Sequence, residues 1–510
     1  MKTSQNLTTS QTAALLLILS VGSKPLGLIR ELVFANYYGT SYVADAYVMA
    51  SGIPGTLVAA IFSAIGVAFM PLLTEHDVNE GPQEANRFTS KIINIMFLVS
   101  IVIAVLGIIF AGPLTTLFAP GYLAETRELT IRYLKVAFVS LIGTAVTSIM
   151  EPFLQYRGRQ LVTPILGYVQ DIAIITAILI SAKFDIYLLI FGIVMSAILR
   201  AIIAWIYAYA TDYHYSLDIH IKDDMSKILS LAIPVFIGSS AGQINVIIDR
   251  MLASSLEAGS VAALNYANLI VNTIYTLTAA LLMNIIYPKL NVAFATNDIE
   301  KTSELSQKSI DLYACLSVPI TLGGVIFAGP LIRVIFERGA FVGVGIGLTA
   351  HAFTYYILGL IFMSIGLVLN NLFYSIHDTK TPLKCGLVAI AVNIAFNLAL
   401  VRPMGVGGLA LATSLSRATN TMLLLVMLKK KHPGIRPYRS KRKLLRICIF
   451  SVIAVGAAWL VFNPLSRTGI NEMWTLLVAI AAAGVVYLGL MIVAKFEELE
   501  LIKDIFNRGK

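Results

Sequence analysis

Four ionisable side chains interrupt a stretch of the chain, residues 22–71, that is otherwise apolar: Lys24, Arg30, Glu31 and Asp45. A charge at the depth of a lipid bilayer costs at least ~2.5 kcal/mol unless it faces a partner or a water-filled cavity. Pro25 follows Lys24 directly and is expected to kink the first helix, so that polar groups can face such a cavity. The spacing therefore predicts a polar cavity that recognises a charged head group.

The composition of the whole chain places these charges in a membrane protein. Of 510 residues, 57% are hydrophobic and only 13% are charged, and the mean hydropathy is +0.81. Soluble domains have about 25% charged residues. The formal net charge of +10 is not accompanied by aromatic and basic residues interleaved for reading bases, so we expect no nucleic acid partner. We predict an all-α polytopic membrane protein whose partners include membrane lipids.

Apolar runs of about 20 residues are long enough to cross a bilayer as helices. The chain contains about fourteen candidate spans, at residues 10–36, 43–73, 88–116, 128–155, 160–182, 186–211, 228–254, 260–288, 307–336, 347–376, 381–401, 406–428, 446–464 and 473–494. Basic residues concentrate after the even-numbered spans, most densely at 429–446. Because Lys and Arg favour the cytoplasmic side, both termini are predicted to be cytoplasmic.

A repeat within the sequence divides these spans into two halves. The run Ile109 to Leu114 recurs as Ile326 to Leu331, 217 residues later, and Pro71 recurs at the same offset as Pro288. Each half holds six spans, so both halves enter the membrane from the same side, which is a parallel repeat. We predict three regions along the chain: a six-helix lobe at 1–215, a second six-helix lobe at 216–430, and a basic linker with a terminal helix pair at 431–510.

Motifs for catalysis are missing from the sequence. It has no GxxxxGK[ST] phosphate loop, no HExxH and no GxSxG, and its three cysteines are widely separated. We therefore expect neither an enzyme nor a metal site, and no bound cofactor. Transport would instead be coupled to a Na+ or H+ gradient, to the membrane potential or to substrate supply.

Several motifs resemble those of the MurJ (MviN) lipid II flippases, a family within the multidrug/oligosaccharidyl-lipid/polysaccharide (MOP) exporter superfamily. They are SKPLGLIRE at 23–31, ADA at 44–46, AFMP at 68–71, FAGPL at 327–331 and TKTP at 379–382. The resemblance implies two six-helix lobes around a central cavity that opens alternately to each face. It also implies a groove for the lipid tail on the terminal helix pair.

The same resemblance implies roles for individual residues. Lys24, Arg30 and Glu31 match the charged positions of the family's N-terminal signature, and Asp45 matches a family aspartate. Two cavity arginines of the family are absent, since the second span reads Gly55 after its proline and the eighth reads Tyr266-Ala267-Asn268-Leu269. We expect Arg250 in the seventh span to compensate in part, as a fifth substrate-binding residue.

Other polar residues within the spans have two readings each. Asp249, Asn393 and Asn397 form a candidate cation site, although the two asparagines also suit hydrogen bonding between helices. Three further charged residues lie within the spans, and each either lines a cavity or forms an ion pair inside one lobe: Glu151, Asp171 and Arg200. Lys24 also suits a position at the membrane surface, where its ammonium would reach water.

The function that we predict is translocation of an undecaprenyl-pyrophosphate-linked glycan, lipid II, across the cytoplasmic (inner) membrane of a bacterium by a monomer. Within transport, the alternatives are a flippase for another undecaprenyl-linked polysaccharide and a drug/cation antiporter of the same superfamily. A membrane-embedded glycosyltransferase is a third hypothesis. It would need grouped acidic residues on an outer loop, and the predicted outer segments are short and poor in paired carboxylates.

Overall fold

The structure is a computed structural model that describes residues 9–220, 222–296, 298–435, 437 and 441–496. Apolar runs fold as helices because a helix satisfies its own backbone hydrogen bonds where water is absent. Fifteen helices are assigned, in chain order α1 (Thr9–Tyr38), α2 (Tyr42–Glu80), α3 (Pro82–Ile109), α4 (Ala111–Phe118), α5 (Ala124–Tyr156), α6 (Val162–Lys183), α7 (Phe191–Tyr209), α8 (Lys222–Ala253), α9 (Ser260–Ala295), α10 (Ile299–Ile326), α11 (Ala328–Phe336), α12 (Val344–Ser375), α13 (Lys380–Lys431), α14 (Lys441–Ser466) and α15 (Glu472–Val493).

Within the described residues, ten helices are long and apolar enough to cross a membrane, or eleven if the bent pair Asp224–Ile237 and Gly242–Ala253 counts as one span. There is no strand in this part of the chain. The all-α, multi-pass fold predicted from the sequence is confirmed. The count of fourteen spans is not confirmed and stays a prediction.

Helix α13 covers two of the predicted spans, 381–401 and 406–428, without a loop between them. Gly405 interrupts it with φ 54° and ψ −131°, which is not a helical conformation. Glycine has no Cβ, so it adopts a positive φ without the steric cost that other residues would meet. The break at Gly405 lies between the two predicted spans, where their sequence pattern requires it. The chain is helical on both sides of this single residue.

The sequence repeat reappears in the helix boundaries. Helices α3 and α10 each have 28 residues and end at Ile109 and Ile326. Phe110 and Phe327 then leave the helix with similar angles, φ −91° and ψ 11° in one and φ −102° and ψ 19° in the other. The short helices α4 and α11 follow directly. The residues of α4 and α11 were predicted to end the same spans as α3 and α10, which is wrong in detail. They form separate helices, because the proline of each Gly-Pro pair suits the first turn of a new helix.

Two compact units make up the chain. The first consists of Met1–Ala262 with Arg338–Phe341, and the second of Ala263–Glu337 with Val342–Lys510. In the first unit, α5 packs against α2, α3 and α7, and α6 packs against α1 and α7. Gly66 lets α2 approach α5 closely, because a Cβ there would lie 2.5 Å from the carbonyl oxygen of Ser148. The predicted lobe boundaries at residues 215 and 430 stay predictions.

In the second unit, α12 packs against α10 and α13, and the terminal helices α14 and α15 pack against each other. α14 also contacts α10, and α15 contacts α11. Arg333 of α11 and Glu472 of α15 form a bidentate ion pair, with Arg333 Nη2 2.6 Å and Nε 3.0 Å from the two carboxylate oxygens. The terminal pair predicted from the sequence is therefore fastened along one side of this unit.

Candidate functional site

Arg30, on α1, is held between two carboxylates. Its Nη2 donates to Glu31 Oε1 at 2.8 Å and its Nη1 donates to Asp171 Oδ1, on α6, at 2.7 Å. The three side chains are between 11% and 23% exposed. A guanidinium with such partners is tolerable inside a membrane, and its orientation is fixed by them. The side chain of Lys24 lies outside the described residues, so its predicted role in substrate binding stays a prediction.

Asp45 binds backbone groups. Its two carboxylate oxygens accept hydrogen bonds from the N–H groups of Gly259 at 2.7 Å and Ala262 at 2.8 Å. The Tyr122 hydroxyl donates to the backbone carbonyl of Asp45 at 3.0 Å. Helix N-termini have unpaired N–H groups, and a carboxylate satisfies them favourably. Asp45 is buried and caps the start of α9, whose first residues, as far as Ala262, belong to the first unit.

Arg250, on α8, reaches α2. Its Nη1 lies 3.4 Å from the carbonyl oxygen of Val48, and a Cβ on Gly52 would lie 1.7 Å from the same nitrogen. Only a glycine leaves space for the guanidinium at that point on α2. Gly55, where the family resemblance leads us to expect an arginine, is one turn further along the same helix. The predicted role of Arg250 in supplying the missing charge stays a prediction. Its neighbour Asp249 is buried.

A cavity of about 640 Å³ lies in the first unit, among α2, α5 and α7. An ion pair lines it: Arg200 Nη2 of α7 donates to Glu151 Oε1 of α5 at 2.6 Å. Arg200 also donates from Nη1 to Gln170 Oε1 at 2.7 Å. Of the three further charges noted in the sequence, Asp171 therefore joins Arg30, and Glu151 joins Arg200.

Asn393 and Asn397 meet on α13 in the second unit, where both are fully buried. Asn397 Nδ2 donates to Asn393 Oδ1 at 3.0 Å, and Asn393 Nδ2 lies 3.4 Å from Thr413 Oγ1. Both predicted readings, a cation site and interhelical hydrogen bonding, remain compatible with this geometry. In the described part of the chain, no cluster of three His, Cys, Asp or Glu side chains is placed to hold a metal ion.

A second cavity, of about 320 Å³, lies in the second unit beside the terminal helix pair. Its walls come from α9, α10, α11, α12, α14 and α15, and nearly all of its lining is apolar. The residues that bound it on the terminal pair are Ala454, Val455, Ala458, Leu476, Ile480, Ala483, Gly484 and Tyr487. Such a space fits a hydrocarbon chain and offers almost nothing to a polar group.

Two partnerships at this site were not predicted from the sequence. The carboxylate nearest to Arg30 outside its own helix comes from Asp171, which is 141 residues away. The pairing of Arg200 with Glu151 joins residues 49 apart. The available signal was that each of these charges interrupts an apolar span, which indicates that a partner exists without indicating which one.

The fold and the buried charges define a multi-pass membrane transporter. A multidrug resistance transporter of the MATE family and MOP superfamily, solved facing inward, has the same fold, with a TM-score of 0.66 at 13% identity over 82% of this chain and 96% of that chain. A lipid II flippase MurJ, solved in an inward closed conformation, is more similar, with a TM-score of 0.82 at 25% identity over 94% of this chain and 99% of that one.

The sequence comparisons identify the family. A model of the lipid II flippase MurJ family matches residues 34–479. A probable lipid II flippase MurJ of Rickettsia prowazekii (strain Madrid E) is 28% identical over 445 residues, which is 84% of this chain and 85% of that protein. The chain belongs to the MurJ family. The predicted membership is confirmed, and the family is one of transporters rather than enzymes.

Proposed function

We propose that this protein is a flippase that moves lipid II from the inner to the outer leaflet of the cytoplasmic membrane by alternating access. The family match over residues 34–479 carries this conclusion. The antiporter alternative rests on a likeness of 13% identity, which concerns the fold alone. The buried charges and the apolar cavity suit the two chemically different ends of such a lipid.

Arg30 is our candidate for binding the pyrophosphate. A guanidinium has five N–H groups. Arg30 uses three of these N–H groups in its hydrogen bonds to Glu31 and Asp171. Two N–H groups are therefore left for the substrate. The planar fork of a guanidinium matches phosphate oxygens. In this proposal Glu31 and Asp171 orient Arg30, while Lys24 and Arg250 add positive charge.

The apolar cavity of the second unit is our candidate for the polyprenyl tail. A tail that leaves bulk lipid for a protein groove gains little from hydrophobic burial alone, because lipid is already apolar. Its binding depends on close packing against the walls of the groove. The cavity volume of about 320 Å³ accommodates a segment of the tail rather than its full length.

We also propose that transport is coupled to a Na+ or H+ gradient or to the membrane potential, without a bound cofactor. Na+ prefers oxygen ligands, as hard cations do. The candidate ligands are the side-chain oxygens of Asn393 and Asn397 in the second unit and, separately, the carboxylate of Asp249 in the first unit. We further propose that the protein is a monomer of the bacterial inner membrane and that both of its termini are cytoplasmic, which follows from the distribution of basic residues.

The decisive experiment replaces the resident lipid II flippase of a depletion strain with this chain. We expect growth to be restored, and purified protein in vesicles to flip labelled lipid II. Membrane abundance is measured in parallel. Lysis at normal abundance, together with no flipping of lipid II, would contradict the proposal and favour another undecaprenyl-linked glycan as the substrate.

A further inference from the structure

The cavity of about 640 Å³ in the first unit has a function still to be assigned. Its walls come from α2, α5 and α7. Glu151 and Arg200 are the charged residues of its lining, and hydroxyl groups of Ser63, Thr144 and Ser148 lie around them. Ligand sites typically have volumes of ~300–1,000 Å³. The cavity is therefore large enough for a substantial polar group.

The ion pair stands at the wall of this cavity rather than in a dry core. The Glu151 side chain is 18% exposed and that of Arg200 is 24% exposed. Arg200 uses one N–H of Nη1 for Gln170 and one of Nη2 for Glu151. Each of these nitrogens has a second N–H group, which an acceptor in the cavity could use.

Two prolines add hydrogen-bond acceptors to the same wall. Pro152 lies within α5 and Pro71 within α2. A proline has no N–H, so it cannot donate to the carbonyl group four residues earlier. The carbonyl groups released in this way are those of Ser148 and Val67, and both residues line the cavity. The Ser148 oxygen lies against Gly66, where α2 packs on α5, so the Val67 carbonyl is the acceptor that we combine with the Glu151 carboxylate as an environment for an ammonium group.

The balance of charge in the lining selects among ligands. One carboxylate and one guanidinium give no net positive charge, so this cavity has no attraction for pyrophosphate comparable to that of a cluster of cations. A ligand that carries an ammonium and a carboxylate would find the complementary group for each of them. A short peptide with a charged side chain and a free carboxyl terminus has this chemistry.

We propose that this cavity binds the peptide of lipid II, with Glu151 and the released carbonyl group of Val67 facing its ammonium and Arg200 facing its carboxylate. The inference rests on the proposed function, because lipid II carries such a peptide on its sugar. It makes Glu151 and Arg200 determinants of substrate specificity, separate from the pyrophosphate-binding role of Arg30.

The test compares two substrates in vesicles: labelled lipid II, and the same lipid-linked disaccharide without its peptide. The double variant Glu151→Gln/Arg200→Gln is expected to flip lipid II at least about tenfold more slowly than the parent, because charged hydrogen bonds are lost. Its rate on the peptide-free lipid is expected to stay within about twofold of the parent, since no bond to that substrate is removed. The exposed pair Glu128 and Arg132 on α5 provides the matched control, Glu128→Gln/Arg132→Gln, which should change neither rate.

A second variant keeps the test decisive if the double variant does not fold. Ser63→Phe adds bulk to the cavity from α2 without altering the ion pair, and Ile61→Phe on the same helix is its control, because Ile61 does not line this cavity. Ser63→Phe should slow the flipping of lipid II more than the flipping of the peptide-free lipid. Equal slowing of both substrates, or of neither, would overturn the inference. If the parent flipped neither substrate, the proposed function would itself fail, and the inference with it.

Discussion

The two cavities differ in lining although they belong to units related by a sequence repeat. The cavity of the first unit, about 640 Å³, is lined by an ion pair and hydroxyl groups. That of the second unit, about 320 Å³, is lined by aliphatic and aromatic side chains. The repeat preserves backbone features, such as the breaks at Phe110 and Phe327. Side chains have diverged on this shared framework, so that one unit offers polar contacts and the other apolar ones.

This difference matches the chemistry of a lipid with a charged head and a hydrocarbon tail. Polar groups within the membrane are costly and are retained where they contact partners or substrate. An apolar cavity in a membrane protein has no such cost and gives selectivity only through its shape. Substitutions of the charged residues in the first unit should therefore slow the flipping of the head group, whereas those in the apolar cavity of the second unit should change the preference for tail length.

The largest effect is expected from Arg30→Ala. Loss of the guanidinium removes the proposed phosphate contact and leaves Glu31 and Asp171 without their shared cation. We expect flipping of lipid II in vesicles to fall by at least about 100-fold, as for the loss of a buried charged contact worth roughly 3 kcal/mol. Arg30→Lys should be impaired to a lesser degree, because an ammonium lacks the planar fork.

The double variant Arg30→Ala/Asp171→Ala separates binding from packing. It removes the guanidinium together with one of its carboxylate partners, so the membrane interior holds fewer unpaired charges. The membrane abundance of the double variant should be higher than that of Arg30→Ala, while flipping of lipid II remains lost. Recovery of both would show that Arg30 is structural and that it does not bind the phosphate.

A smaller effect is expected from Gly484→Leu in the apolar cavity. Gly484 lines this cavity, and a Cβ added there would meet no atom within 4 Å. The leucine side chain would occupy space proposed for the tail and raise KM for long-tailed lipid II by roughly tenfold, which corresponds to about 1.4 kcal/mol of lost packing contacts. A lipid II analogue with a short tail should be affected less, and flipping of the two substrates is compared in vesicles.

Gly489→Leu is the matched control, because Gly489 lies on the same helix, also has no atom within 4 Å of an added Cβ, and does not line the cavity. If both leucine variants behaved like the parent, the cavity would not hold the tail.

The fold was predicted from apolar runs of about 20 residues, and the candidate site from charges in apolar surroundings. Arg30, Glu31 and Asp171 were all identified as charges within apolar spans, but the pairing of Arg30 with Asp171 was not predicted, because pairing across 141 residues depends on helix packing. The contacts of Asp45 were also not predicted. Its carboxylate binds backbone N–H groups, and because every residue except proline has one, no residue type marks its partners. The fit of Arg250 against Gly52 depends on interatomic distances that no sequence pattern contains.

A modest effect on stability is expected from the ion pair between Arg333 and Glu472, which fastens α15 beside the apolar cavity. The Arg333 side chain is 40% exposed, so breaking the pair by Glu472→Gln should lower the free energy of unfolding by about 1 kcal/mol. Thermal unfolding in detergent measures it. The reversed pair Arg333→Glu/Glu472→Arg should recover part of the loss. A drop as large as that of a core substitution would mean that this contact holds the whole terminal pair in place.

The smallest effect concerns Asp378, which lies outside both cavities, between α12 and α13. Hydrogen bonds from Lys431 Nζ at 2.7 Å and from Thr381 Oγ1 at 2.6 Å stabilise the charged carboxylate, and they hold its pKa below the ordinary value. A carboxyl group whose pKa is lower in the folded state adds stability above its unfolded pKa of about 3.9, and this stability is lost as the pH falls toward the folded value. The parent should therefore lose thermal stability in detergent below about pH 4 more steeply than Asp378→Asn, which has no carboxylate to protonate.

Because this contact touches neither proposed substrate site, the amide variant should flip both long-tailed and short-tailed lipid II at the parent's rate at neutral pH. A changed preference for tail length in Asp378→Asn would show that selectivity is not confined to the two cavities.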